Sequence, residues 1–169
     1  MIFPLNAGRL LLAGGLVSCQ CCPPAEETFE LAIKYGWEGT GQVDLDTKTV
    51  FLSEQVGWSC GFGGTYLAWL EGGSPCVEGS CDDTTLNGFE RVDVRVDLAR
   101  TAALWTSSVN IELFAGWYSP AGGTGPATVT VTYNGVTDSK TITPGTQSGC
   151  AATAVATITV YADGTFDLV

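Results

Sequence analysis

From Phe29 onward apolar and polar residues alternate along the chain with a period of two. In "TFELAIKYGW" the residues Phe29, Leu31, Ile33, Tyr35 and Trp37 share one face, the alternation of a half-buried strand. "VDLDTKTVFL" repeats it, with Val43, Leu45 and Phe51 on one side and Asp44, Asp46 and Lys48 on the other. "ERVDVRVDL" sets Val92, Val94, Val96 and Leu98 against Arg91, Asp93, Arg95 and Asp97, a solvent face whose alternating charges keep it soluble and contribute little each. "SVNIELFAGWY" adds Val109, Ile111, Leu113, Ala115 and Trp117, and "YLAWL" is a shorter candidate. "ATVTVTY" meets "VTDSKTIT" across Asn134 and Gly135, the dipeptide best suited to a two-residue hairpin turn with positive φ; "TITVYADGTFDLV" repeats the device at Asp163 and Gly164. "LARTAALW" has room for one helical turn, and residues 10–17 for another, against which Gly14 and Gly15 count. About eight short strands with tight turns and no helical spacers predict an all-β antiparallel sandwich of immunoglobulin-like or jelly-roll-like type; a partly open barrel is the alternative.

The first 25 residues follow another pattern. Leu5, Leu10, Leu11, Leu12, Leu16 and Val17 are too apolar to stay in water, yet the segment is too short and glycine-rich to build a core of its own. Pro23 and Pro24 with the polar "AEET" make a joint, which divides the chain into an arm, residues 1–25, and a domain, residues 26–169. Leu16, Val17, Ser18 and Cys19 fit the pattern that precedes a lipidated cysteine. Arg9 is the single cation before the apolar run, however, and glycines interrupt that run, so the arm reads as part of the mature chain. A bilayer span needs about 20 consecutive apolar residues, which the arm does not supply.

Charge narrows the range of partners. The chain carries a formal charge of −11, and residues 26–90 hold twelve acids against Lys34 and Lys48. Such a surface excludes nucleic acid, whose phosphates require clustered cations. There is no histidine to act as general base, no nucleophile elbow and no phosphate-binding glycine loop, so the expectation is a protein that is not an enzyme. Seven cysteines are many for 169 residues, and an odd number cannot all pair within one chain. Cys76 and Cys81 are spaced to close a small loop, whereas the pairing of Cys60 and Cys150 is open. Cys19, Cys21 and Cys22 lack zinc spacing, and adjacent cysteines strain a mutual bond, which leaves pairing elsewhere in the chain or with another chain. Among the tryptophans, Trp37 and Trp117 read as core. Trp58 and Trp69 read as loop packing rather than as exposed stacking platforms.

One constellation suggests chemistry. Asp44 and Asp46, at i and i+2 of a strand, face the same side about 7 Å apart and can converge on one hard cation. Calcium takes roughly six to eight oxygens, and "CDDTTLNGFE" offers Asp82, Asp83, Asn87 and Glu90. The competing reading of the aspartate pair is an ordinary solvent face. The order "VDLDTKTVFL", "NGFERVDVRVDL", "SVNIELFAGWYS", "GPATVTVTYNG", over about residues 28–135, resembles that of calcium-binding β-sandwich modules such as bacterial pre-peptidase C-terminal domains and the TerD-like family. That resemblance implies a ligand role for Asp44, Asp46 and Glu90; the arm and the final hairpin have no counterpart in it.

In overall character, an apolar arm ahead of a Thr-, Gly- and Val-rich sandwich resembles the small structural proteins of tailed bacteriophage particles, either capsid cement and decoration proteins or tail and baseplate accessories. This resemblance implies a non-enzymatic virion protein, homo-oligomeric in the assembly, that docks on neighbouring capsid or tail subunits through its arm. The alternative, from another class, is a secreted or lipid-anchored bacterial surface module that binds calcium and a ligand such as glycan.

Overall fold

The computed structural model describes residues 30–57, 68–73, 83–103, 105–118, 125–147 and 152–169. They form two sheets packed face to face. One sheet runs in the order β4 (Leu70–Gly73), β5 (Phe89–Val94), β1 (Leu31–Gly36), β7 (Ala127–Tyr133), β8 (Val136–Ile142). The other runs β11 (Phe166–Leu168), β10 (Thr153–Tyr161), β6 (Ser108–Tyr118), β2 (Leu45–Phe51), β3 (Glu54–Val56). These pairings are antiparallel, while the short β9 (Thr146–Gln147) lies parallel to the end of β6. The expected all-β sandwich is the observed fold.

The inward faces come from the period-two runs. Leu31, Ile33 and Tyr35 of β1, Val129 and Val131 of β7, Ile111, Leu113 and Trp117 of β6, and Ile158 and Val160 of β10 are all buried. Each such side chain contributes roughly 1.5 to 3 kcal/mol by leaving water. Trp37 and Trp117 are core residues as expected, edge to face with ring centroids 6.3 Å apart. Their indole N–H groups donate to Thr85 O at 3.0 Å and Gly125 O at 2.9 Å, which satisfies the one polar atom each carries inside. Trp69 is partly buried against the same core.

Three local expectations are corrected. The strand in "ERVDVRVDL" stops at Val94, and α1 (Val96–Ala103) follows. Val96 and Ala99, three apart, are buried on one helix face, whereas Leu98 is exposed and Arg95 is buried rather than facing solvent. Asp97 in the first turn and Arg100 in the last suit the helix dipole, a signal that competed with the alternation. In β2 the expected alternation holds from Leu45 to Phe51, with Thr47 and Thr49 on the inward face beside them, but Asp44 precedes the strand with φ 61° and does not share a strand face with Asp46. Of "YLAWL", Tyr66 and Leu67 lie outside the described residues, Ala68 and Trp69 are not strand, and the strand begins at the last residue, Leu70, as "LEGG".

The hairpins also differ in detail. Asn134 (φ 49°) and Gly135 (φ 77°) form the expected two-residue turn, with Tyr133 paired to Val136. At the last hairpin, by contrast, only Gly164 (φ 88°) is left-handed: Gly164 N–H donates to Tyr161 O at 3.0 Å and Tyr161 N–H to Thr165 O at 2.9 Å, a turn with a glycine bulge. A further two-residue turn, Leu52 (φ 47°) and Ser53 (φ 72°), joins β2 to β3 without any glycine or asparagine to announce it. The long edge strand β8 is guarded: Asp138 pairs with Val131 and Lys140 with Val129, so both charges sit on the core-facing side of the edge, where they discourage further pairing.

Strand direction gives the sandwich two distinct poles. β1, β4, β6 and β8 run toward a loop pole, where the connections beginning after Gly36, Gly73, Tyr118 and Ile142 arise. The chain comes in at Glu30 on the opposite, N-terminal pole, beside α1 and the turns at residues 52–53, 134–135 and 162–164. The arm residues Leu5, Leu10, Leu11, Leu12, Leu16 and Val17, the acid Asp82, Trp58, and Cys19, Cys21, Cys22, Cys60, Cys76, Cys81 and Cys150 lie outside the described residues.

Candidate functional site

Asp44, Asp46 and Glu90, described carboxylates among those singled out by the sequence, lie near the loop pole, and the fold directs them to different places. Glu90, the second residue of β5, points into the sandwich with 2% of its surface exposed. Its Oε2 accepts from the hydroxyl of Thr47 on the facing sheet. Tyr35, the cross-strand neighbour of Glu90, shares a hydrogen bond of 2.7 Å with Thr49 Oγ1. Two hydrogen bonds therefore span the core side by side. Burial first, and the nearby Glu90 charge second, hold the Tyr35 phenol well above its ordinary range, although the Thr49 hydrogen bond pulls the other way.

Asp46 is the chain neighbour of Thr47 and so projects from the other side of β2. It is covered by Gln147 of β9, whose Nε2 donates to Asp46 Oδ2 at 2.9 Å. Gly116, opposite Asp46 on β6, makes room for this cover: a Cβ there would come within 3.0 Å of Gln147 Cβ. Asp44 lies outside the strand, and its carbonyl accepts from Tyr118 N–H at 3.0 Å. The strand backbone thus stands between Asp46 and Glu90, and the structure does not bring them to one cation. Among the described residues no group of three or more histidine, cysteine, aspartate or glutamate side chains is arranged to hold a metal.

Asp83 and Asn87 of "CDDTTLNGFE" serve the loop itself. Asp83 accepts from Thr85 N–H at 2.9 Å, Thr85 Oγ1 at 2.5 Å and Phe89 N–H at 2.8 Å. Asn87 Oδ1 accepts from Gly41 N–H at 2.8 Å, and Asn87 N–H donates to Gln42 O at 3.0 Å, so the loop before β5 is tied to the loop after β1. The partners that absorb these groups, Thr47, Thr49 and Gln147, were not legible beforehand. Threonine in an alternating run reads as a solvent residue, and a glutamine 101 positions away from Asp46 gives no local signal.

A second polar cluster occupies the N-terminal pole. Arg100 pairs with Asp97 at 2.6 Å and donates to Ala162 O at 3.0 Å, while Tyr133 OH donates to Asp97 Oδ1 at 3.3 Å. Asn134 Nδ2 donates to Gly164 O at 3.0 Å, so the turn of β7 and β8 holds the turn of β10 and β11. Glu30, just before β1, has its carboxyl raised by burial and by the Asp97 charge, against the lowering effect of backbone N–H groups at Glu30, Asp97 and Val96. Among the described residues no helix is long and apolar enough to cross a membrane. No family model matches this chain, and no curated protein or solved structure matches it either.

Proposed function

We propose that the chain is a non-enzymatic structural protein of a tailed phage particle, a β-sandwich module that docks on neighbouring capsid or tail subunits through residues 1–25. One observation carries this reading: the described residues enter β1 at one pole, while β1, β4, β6 and β8 all end at the other. A module held by its N-terminal segment then presents those strand ends outward. The use of the conspicuous acids also supports it, since Glu90, Asp46 and Asp83 are engaged by Thr47, Gln147 and the backbone of the loop before β5. The arm supplies the docking energy: burying each leucine is worth roughly 1.5 to 3 kcal/mol, so several together outweigh the cost of ordering the segment.

The test is incorporation. A chain lacking residues 1–25 should remain folded and soluble but fail to enter particles assembled from the remaining virion components. Normal incorporation of the truncated chain would remove the arm as the anchor. Non-reducing gels of the intact assembly should also show a reducible higher-mass band if one of Cys19, Cys21 or Cys22 bridges two chains.

A second reading rests on the acidic run of residues 26–90, twelve acids against Lys34 and Lys48: a secreted or lipid-anchored surface module that binds calcium and a ligand such as glycan. Bound calcium stabilises the folded state by RT ln(1 + [L]/Kd), so melting in millimolar calcium should exceed melting in chelator. Identical melts would discard this reading.

A further inference from the structure

The sequence holds two Asn-Gly pairs in the described domain, Asn87 with Gly88 and Asn134 with Gly135, and the fold places them in opposite circumstances. We infer that Asn134 is a site of spontaneous deamidation whose product unfastens the two hairpin turns at the N-terminal pole, and that Asn87 is shielded from the same reaction.

The chemistry needs only the chain and water. The backbone nitrogen of Gly135 loses its proton and bonds to Cγ of Asn134; the Cγ–Nδ2 bond breaks, and ammonia departs with a proton. The five-membered succinimide that results then takes up one water at either carbonyl, giving aspartate or isoaspartate at position 134. Glycine as the following residue favours this reaction because no side chain obstructs the attacking nitrogen.

At Asn134 the requirements are met. Asn134 and Gly135 are both exposed, and a Cβ built on Gly135 would meet nothing within 4 Å, so space is open where the ring must form. The ladder of the hairpin closes on Tyr133 and Val136, which leaves the Gly135 nitrogen outside that pairing. The side-chain contacts of Asn134, Nδ2 to Gly164 O at 3.0 Å and a hydrogen bond with the Tyr133 hydroxyl, have to open for the amide to turn, and both lie at the exposed tip of the hairpin.

At Asn87 the opposite holds. Its side-chain oxygen is held by Gly41 N–H at 2.8 Å, its own N–H by Gln42 O at 3.0 Å, and Gly88 O by Trp37 N–H at 3.0 Å. Gly88 is buried, and a Cβ there would collide with the Asp83 carboxylate, whose Oδ2 lies 2.2 Å from that position. A carboxylate beside Gly88 also opposes loss of its amide proton. Neither the rotation nor the deprotonation that the reaction demands is available.

The product matters because of what Asn134 fastens. Aspartate at this position replaces an N–H donor with a carboxylate facing the Gly164 carbonyl, two acceptors with no hydrogen between them. Isoaspartate lengthens the backbone by one carbon within a two-residue turn, which cannot keep its positive-φ geometry. Either change frees the β7–β8 turn from the β10–β11 turn, next to where the domain begins.

The experiment incubates the full chain in mildly alkaline buffer and follows both sites by peptide mapping with isoaspartate detection, in the native state and in denaturant. Native protein should convert at Asn134 at least several-fold faster than at Asn87, and denaturant should bring the two rates together. If the native rates are equal, or Asn87 converts first, the inference is overturned. Asn134→Asp, one of the products, should lower the melting temperature at neutral pH, with part of the loss recovered in acid where the carboxyl regains a proton to donate. An Asn134→Asp melt equal to wild type at neutral pH would refute the unfastening step.

Discussion

Replacing Thr47 with valine tests whether the hydrogen bond between Thr47 and Glu90 is a structural tie across the core. The two side chains are nearly the same size, so Thr47→Val leaves the packing in place and removes the hydroxyl that donates to Glu90 Oε2. Leaving a buried acceptor without its donor costs about 1 to 3 kcal/mol, and at 2% exposure Glu90 has little water to turn to instead. For a domain of this size 1 kcal/mol shifts melting by roughly 2 to 4 °C, so Thr47→Val should lower it by about 2 to 12 °C. Glu90→Gln keeps an oxygen for Thr47 to donate to, so its penalty should be smaller. The decisive measurement is the double-mutant cycle of Thr47→Val with Glu90→Met in chemical denaturation, read at the midpoint with an unchanged slope. Because removal of both partners leaves no stranded acceptor, the double variant should be more stable than the sum of the singles by about 1 to 3 kcal/mol. Additivity within about 0.5 kcal/mol would show that the two residues are not coupled and that the tie does not exist.

Three further outcomes follow from the same geometry. Leu52→Asn with Ser53→Gly should raise stability by about 1 kcal/mol or more, since each now sits in a left-handed conformation that costs an ordinary residue roughly 1 to 2 kcal/mol; an unchanged or lower denaturation midpoint would contradict the strain. Gly116→Ala should displace Gln147 from Asp46 and cost about 1 to 3 kcal/mol, and Gln147→Ala should remove most of that penalty when the two are combined. Glu30 should make stability fall as pH rises. Its folded carboxyl holds a proton more tightly than the unfolded one at 4.5, so its contribution is complete below 4.5 and is lost as pH climbs through the raised folded value; Glu30→Gln should flatten the melting profile in that window.

Where burial alone decided the outcome, the alternation in the sequence sufficed. β1, β6 and β7 follow the runs beginning at Leu31, Ser108 and Ala127, and Asn134 with Gly135 marks a turn because few other residues accept two successive positive φ values. The reading failed where two periods fit the same residues. Val96 is apolar at the right place for a strand and for a helix, and only the partners of Val94 on either side, Leu31 and Leu70, decide that the sheet ends there. It failed again at Leu52 and Ser53, where the pairing of Phe51 with Glu54 imposes a turn that the residues themselves disfavour. The acids were visible as acids, but their contacts were not. Asp46 and Thr47 are neighbours in the chain and face opposite sides of one strand, so whether either meets Glu90 is set by how the second sheet lies over the first.

The placement of β1 bears on how the domain resists force. A module tethered through its N-terminal segment is pulled at Glu30, and the load passes directly into β1, which lies in the middle of its sheet. All six residues of β1 are paired on both sides, with β5 and with β7, along antiparallel ladders that run in line with the pull. A tug away from the N-terminal pole therefore loads both ladders in shear, so that many hydrogen bonds must yield together instead of opening one after another from an end. An edge strand such as β11, paired on a single side over three residues, gives no such grip. Were the proposed arm the tether, attachment at the central strand would make the point of tethering one of the mechanically strongest places in the sandwich.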